Sequence, residues 1–339
     1  MGEFELIEKL RERLPAAGPR LRVGSGDDAA VSVPGGATAT SVDALVEGVH
    51  FRRDAGFELE DVGAKALATA LSDLAAMGAE PGEAYIVLGV PPDTGEPELL
   101  RLADGLAEVA AATGTAIAGG DVSRSPVLSL AVTVVGHAAR PEQLVTRGGA
   151  RPGDLLVLTG ELGGAAAGLL LHERPELAGA VPAETAANLR RRQLRPTPRL
   201  RAGAALAAAG ARAMIDLSDG LAGDAGHVAA ASGAALRFDA GAIPLAKGLA
   251  EVAAAAGRDP LELAASGGED YELLAAIPPE RLTEAATRIG EAAETSLTPV
   301  GEVGAGEGVE IRLPGGGILR TTGFDQLGPP SPGQGAAGP

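Results

Sequence analysis

Short apolar runs alternate with longer segments of helical period along this chain, and that order constrains its fold more than any single residue does. "ATATSVDALV" (37–46) has the β-branched and small residues of a strand, following the turn Pro34-Gly35-Gly36. In "LEDVGAKALATALSDLAAM" (59–77), Val62, Ala66, Leu67, Ala70, Leu71, Leu74 and Met77 recur at helical spacing, and Gly78 and Pro81 are expected to close the helix. "EAYIVLGV" (83–90) reads as a short buried strand and "ELLRLADGLAEVAAATG" (98–114) as a second amphipathic helix. "VLSLAVTVVGHA" (127–138) reads as an unusually long strand. Strand, helix, strand, helix, strand predicts a layered α/β unit.

A stretch rich in Arg, Gly and Pro, "ARPEQLVTRGGARPGD" (139–154), interrupts this pattern. "LLVLTG" (155–160) then starts a second unit as a strand entering a glycine-rich loop, "TGELGGAAAG" (159–168), whose backbone could approach a phosphate. "GARAMIDLSDGLAGDAGHVAAASG" reads as a strand end, an acidic turn and a helix, and "GGEDYELLAAIP" (267–278) turns into another strand. Hydrophobic residues make up 45% but aromatics only 2%, with no Trp, so the layers must pack closely on Leu, Val, Ile and Ala. The 50 Gly and 24 Pro are scattered between apolar segments and punctuate elements rather than mark disorder. The expected class is mixed α/β (α+β) in two domains, residues 1–140 and 150–327, followed by a disordered tail at 328–339.

A formal net charge of -17 argues against nucleic acid and anionic membranes as partners. It leaves room for a phosphorylated small molecule if cations neutralise the site. The absence of Cys excludes disulfides, thiolate metal sites and cysteine nucleophiles. His50, His137, His172 and His227 are far apart and not at zinc spacing. The N-terminus, "MGEFELIEKLRERL", reads as an amphipathic helix with neither an apolar signal core nor the Ser or Thr of a myristoylation signal. No run is long and apolar enough to span a membrane, and a cytoplasmic protein is expected.

Aspartates recur beside glycines or at apparent strand ends: Asp27 and Asp28 in "GSGDDAA", Asp43 in "SVDALVEGVHF", Asp73 in "LSDLAAMG", Asp121 in "AGGDVS", and Asp216, Asp219 and Asp224 in "IDLSDGLAGD". Each alone suits a turn or a helix N-cap. Asp73 stands out, because it interrupts an apolar helix, although its spacing could leave it on the solvated side. Together the carboxylates suit hard divalent cations, which bridge carboxylates to phosphates. No GxxxxGK[ST] loop, protein-kinase glycine loop or GxSxG elbow is present.

With those segments assembled, the chain resembles the thiamine-monophosphate kinase family, in the superfamily of aminoimidazole ribonucleotide synthetase and selenophosphate synthetase. The resemblance rests on "GSGDDAAV", "VDALVEGVHF", "KALATALSDLAAMGAEP", "GGDVSRSP", "TRGGARPGD", "TGELGGAAAGL", "RPTPRL", "IDLSDGLAGDAGH" and "SGGEDYELL", in the family's order from about residue 22 to 275, with "GFDQL" near 323 as a final echo. It implies transfer of the γ-phosphoryl of ATP to thiamine monophosphate, giving thiamine diphosphate. It implies several Mg²⁺ ions held by Asp27, Ser41, Asp43, Asp73, Asp121, Asp216 and Asp219. It also implies ATP contacts from Gly120, Asp121, Arg147 and Ser218, and acceptor contacts from His50, Glu269 and Phe324. The departures are modest: Asp43-Ala44 replaces the usual Asp-Thr, "GGDVSRSP" the usual "GGDTTRGP", and "GELGGAAAG" lacks an aspartate often found there.

The implied fold is a two-domain synthetase-like homodimer in which the N-terminal sheets of two subunits form a shared barrel. The long strand 127–138 suits this as an apolar edge that would otherwise invite aggregation. The acceptor is already an ionised phosphate, so no covalent nucleophile or general base is required, and anion repulsion is the main obstacle. Blander readings stay open at this point. His50 could be satisfied by backbone at a strand end, Arg147 could be a solvated linker charge, and Glu269 could cap a turn. A relative acting on another acceptor would share the aspartates and differ at His50, Glu269 and Phe324, whereas a non-catalytic metal-binding scaffold would have no need for the whole set of aspartates.

Overall fold

The computed structural model describes residues 3–14, 18–24, 29–53, 57–292 and 295–324. Asp27 and Asp28 and the tail expected at 328–339 lie outside the described residues. The N-terminal half opens with helix α1 (Glu3–Arg13) and a short antiparallel pair, β1 (Leu21–Val23) and β2 (Val31–Ser32). It continues through β3 (Ala37–Val46), α2 (Leu59–Met77), β4 (Glu80–Val90), α3 (Glu96–Thr113), β5 (Ala116–Arg124) and β6 (Ser129–Ala138). β3 to β6 form a sheet of order β3-β6-β4-β5, antiparallel except between β4 and β5.

The period of two along β6 sends Leu130, Val132 and Val134 into the core beneath α2 and α3, while Ala131, Thr133 and Val135 line the opposite face. Their neighbours on that opposite face include Val42 and Val87, 66% and 47% exposed. This corrects the expectation of an apolar edge at 127–138. β6 is bonded on both sides, by β3 and β4, so the uncovered apolar surface is a sheet face rather than an edge. β5 is a strand that the sequence reading did not resolve, because only Ala116, Ile117 and Ala118 of it are buried.

α2 is the element on which the two halves meet. Leu67, Leu71 and Leu74 are at most 1% exposed, and burying each contributes about 2 kcal/mol. Gly63 of α2 faces a carbonyl of α3 and Gly105 of α3 faces a carbonyl of α2, so close that a Cβ at either would strike backbone. Gly78 ends α2 in the left-handed region, φ 66, with its N–H donating to the Ala75 carbonyl at 3.0 Å. Pro81, expected to share that task, instead stands inside β4 at a register shift against β6, where a missing N–H is tolerated.

The C-terminal half runs β7 (Leu155–Thr159), α4 (Gly164–Glu173), α5 (Ala183–Leu194), α6 (Leu200–Ala208), β8 (Ala213–Asp216), α7 (Leu221–Ser232) and β9 (Ala235–Asp239). It ends with α8 (Leu249–Ala256), α9 (Pro260–Ser266), β10 (Leu273–Ile277), α10 (Leu282–Ala292), β11 (Leu297–Gly304), β12 (Gly308–Arg312) and β13 (Ile318–Leu319). Its sheet has the order β13-β12-β9-β11-β7-β10-β8, with only β9 and β12 parallel. β7 and β10 read as continuous apolar runs because both faces are covered. Leu156, Leu158 and Leu274 pack toward Leu171, Leu221 and Leu249, and Val157, Leu273 and Ile277 toward Leu206, Ile289 and Ala75 of α2. Among the described residues no helix is long and apolar enough to cross a membrane.

Candidate active site

The acidic residues gather along the seam between α2 and the C-terminal sheet. On β3, Ser41 and Asp43 stand opposite buried Val134 and Val132, which puts them in the row that faces α2. Ser41 Oγ donates to Asp73 Oδ2, and Asp43 accepts the N–H of Ala44 at 2.7 Å. Asp73 is therefore half-buried and engaged, not solvated. Burial raises its pKa, the nearby Asp43 charge adds to that, and the Ser41 bond and Arg147 oppose it. The adjacent residue, Ser72, donates at 2.7 Å to Asp216 Oδ2 at the end of β8. Burial first and the Asp73 charge second push Asp216 up to about 7, against the Ser72 bond and Arg147. Arg147 is exposed, and its charge acts on both aspartates.

Two loops close on each other next to Asp216. The Glu269 N–H donates to the Ser218 carbonyl at 2.8 Å, and the Tyr271 N–H to the Leu217 carbonyl at 2.9 Å. Glu269 and Tyr271 lie in the left-handed region, φ 60 and 49, which costs a non-glycine residue about 1 kcal/mol and concentrates at functional sites. Tyr271 is buried, and burial together with the charges of Glu269, Asp43, Asp216 and Asp219 keeps its hydroxyl protonated. Asp224 accepts the Asp219 N–H at 3.0 Å. Burial and the charges of Asp216 and Asp219 push Asp224 up to about 8. The Phe324 N–H donates to the Asp219 carbonyl at 2.9 Å, which brings the end of the described chain to this loop, with the Phe324 side chain exposed.

His50 sits in the turn after β3, and its Nδ1 accepts the Val46 N–H at 3.0 Å. In the neutral ring Nε2 then carries the proton and is the nitrogen free to donate. Glu269 forms an ion pair with Lys65 of α2 at 2.6 Å. Lys65, Ser72 and Tyr271 escaped the sequence reading. Lys65 had a signal, being the one cation in the apolar segment 59–77, whereas Ser72 and Tyr271 had none beyond adjacency to motif residues.

Asp121 and Gly120 are not brought to this seam. They lie on β5, at the opposite edge of the sheet from β3, roughly 14 Å away at three strand spacings. Asp121 pairs with exposed Val87 and so shares the open face, while Asp43 shares the α2 face. Among the described residues no three acidic or imidazole groups converge to hold a metal ion. The donor chemistry nevertheless fits Mg²⁺: hard oxygens, and aspartates whose charges repel one another, with Arg147 acting against that repulsion. Mg²⁺ typically takes one or two carboxylates and completes its shell with phosphate oxygens and water.

The glycine-rich loop at 159–168 is already filled. Asp270 accepts the N–H groups of Gly163 at 2.6 Å and Ala165 at 3.1 Å, occupying the N-terminus of α4 with an internal carboxylate. Burial pushes Asp270 up to about 6 against those two bonds. Fully buried Glu272 takes Arg199 in a fork at 2.8 and 2.5 Å and the Thr159 hydroxyl at 2.7 Å.

The family described as AIR synthase related protein, N-terminal domain, matches residues 26–138, and that described as AIR synthase related protein, C-terminal domain, matches residues 151–314. Thiamine-monophosphate kinase of Mycobacterium tuberculosis (strain ATCC 25618 / H37Rv) is 40% identical over 279 residues, covering 81% of this chain and 80% of that protein. The crystal structure of thiamine-monophosphate kinase from Stenotrophomonas maltophilia K279a superposes with a TM-score of 0.80 at 36% identity, covering 92% of this chain and 96% of that one. AaThiL complexed with AMPPCP and TMP superposes at 0.73 and 31% identity, covering 95% and 96%.

Proposed function

Because the chain belongs to the thiamine-monophosphate kinase family of AIR synthase related proteins, we propose that it phosphorylates thiamine monophosphate with ATP to give thiamine diphosphate. The observation that carries this is the joining of Asp73 and Asp216 through adjacent residues of α2, beside Glu269 and within the field of Arg147. AaThiL, a relative of the same fold, holds an ATP analogue and TMP together.

On this reading Asp27, Ser41, Asp43, Asp73, Asp121, Asp216 and Asp219 hold several Mg²⁺ ions. When bound, those ions neutralise the phosphates that otherwise repel one another. Gly120, Asp121, Arg147 and Ser218 contact ATP, with Arg147 balancing the terminal phosphate charge. His50 donates from Nε2 to the acceptor phosphate, Glu269 faces the cationic thiazolium, and Phe324 covers that end. An ionised phosphate oxygen of the acceptor attacks the γ-phosphorus in line as the bond to the ADP oxygen breaks, so no side chain need take a proton.

We take residues 1–140 as the nucleotide and dimerisation domain and 150–327 as the second α/β domain. The open apolar face at Val42 and Val87, with Asp121 on that same face, supports a homodimer in which the two faces meet. Asp121 and Gly120 of each protomer would then serve the nucleotide at the shared interface, which accounts for their distance from Asp43 within one chain. A cytoplasmic location goes with the reading, since both substrates are charged and do not cross a bilayer.

The test is to incubate the protein with ATP, Mg²⁺ and thiamine monophosphate and to separate products by chromatography. Thiamine diphosphate and ADP in equal amounts are expected. ADP release with a different acceptor alone would favour a relative with another substrate, and no ATP turnover with any acceptor would favour a non-catalytic scaffold.

A further inference from the structure

Among the described residues one of the largest fully buried side chains is a lysine, Lys65, 1% exposed in the first half of α2. An ammonium group in such a place is costly unless paired, and a methionine would fill the same volume without the desolvation. Lys65 has two acceptors, both in the C-terminal half: Glu269 Oε1 at 2.6 Å and the Gln193 carbonyl at 3.2 Å. The pair is asymmetric. The cation is hidden, while Glu269 keeps 29% of its side chain exposed and stands at φ 60 in the loop that reaches Ser218. One oxygen of Glu269 is thus held from behind and the carboxylate is presented at the seam.

Seven residues further along α2, Ser72 donates to Asp216 across the same seam. Positions i and i+7 share a helix face, and their rise sets them about 10 Å apart along the axis. One rigid helix therefore fixes the separation between Glu269 and the aspartate cluster.

We propose that Lys65 is a positioning residue for the acceptor, holding the Glu269 carboxylate toward a cationic ring at a fixed distance from the phosphate-transfer end. This rests on the proposed function, in which the acceptor joins a cationic heterocycle to a phosphate. A neutral or displaced group at 65 releases Glu269 and weakens capture of the acceptor, while the nucleotide end is untouched.

Steady-state kinetics with ATP and thiamine monophosphate test this on the native enzyme, Lys65→Met, Glu269→Gln and the double variant. Lys65→Met is expected to raise KM for thiamine monophosphate by about tenfold or more, with KM for ATP within about twofold. The double variant is expected to be no worse than Glu269→Gln alone, because the two residues act as one unit. An unchanged acceptor KM, equal rises in both KM values, or additive effects would overturn the proposal. If Lys65→Met does not fold, Lys65→Arg keeps the charge, shifts its geometry and must show the same one-sided rise in KM. A native protein inert toward thiamine monophosphate overturns the function reading itself, which separates that failure from failure at Lys65.

Discussion

Ser72 donates a 2.7 Å hydrogen bond to Asp216, and neither side chain is more than 4% exposed. The bond runs from a helix of one half to the last residue of a strand in the other. Removing it with Ser72→Ala leaves a buried carboxylate oxygen without its donor, at a cost of about 1–3 kcal/mol. A urea midpoint lowered accordingly is expected, together with a weaker response of activity to Mg²⁺. An unshifted midpoint would show that the bond is replaced by water.

Stability should depend on pH in a direction set by Asp216 and Asp224. Their folded values, about 7 and about 8, lie above the unfolded value of 3.8, so folding favours their protonated forms. Their contribution is present below pH 4 and is lost as pH rises toward 7 and 8. After chelation of divalent ions the melting temperature should be lower at pH 8.5 than at pH 5.5. Saturating Mg²⁺ should narrow that gap, as measured by calorimetry. A metal-free protein more stable at pH 8.5 would contradict the burial of these groups.

Asp43→Asn and Asp73→Asn should each reduce turnover on the order of a hundredfold or more while leaving circular dichroism unchanged. Near-native turnover in either would remove that aspartate from the metal-binding set.

Glu272 is fully buried and its charge is balanced chiefly by Arg199. Arg199→Met should destabilise the fold by about 3–5 kcal/mol, because it strands a buried carboxylate. Adding Glu272→Gln should recover part of the loss, read from denaturant midpoints of the single and double variants.

Val42→Arg on the open sheet face should leave the monomer folded and prevent association. Light scattering after size exclusion would then report monomer for the variant and dimer for the native chain at micromolar concentration. Two species of equal mass would exclude this face as the interface.

The segment 59–77, the strand at 155–160 and the turn into the strand after 267 were legible because apolar period and glycine stops act locally. Residues Asp43, Asp73, Asp216 and Glu269 were legible as motifs, and the fold gathers them. What was not legible depends on pairing across the chain. β6 looks like an edge until β3 and β4 flank it, and Asp121 looks like a neighbour of Asp43 until the strand order separates them. The "RPTPRL" stretch gave no hint of its tasks. Arg195 ties Glu60 of α2 to Glu108 of α3, and Arg199 neutralises Glu272. The glycine loop misled because its vacant amides are answered by Asp270, more than a hundred residues later.

The seven-residue interval between Lys65 and Ser72 makes α2 intolerant of insertion and deletion. One added residue would rotate everything beyond it by ~100° and advance it by about 1.5 Å, swinging Ser72 and Asp73 off the seam while Lys65 stayed in place. A substitution alters one of these contacts, whereas a change in the helix's length displaces every group beyond it at once.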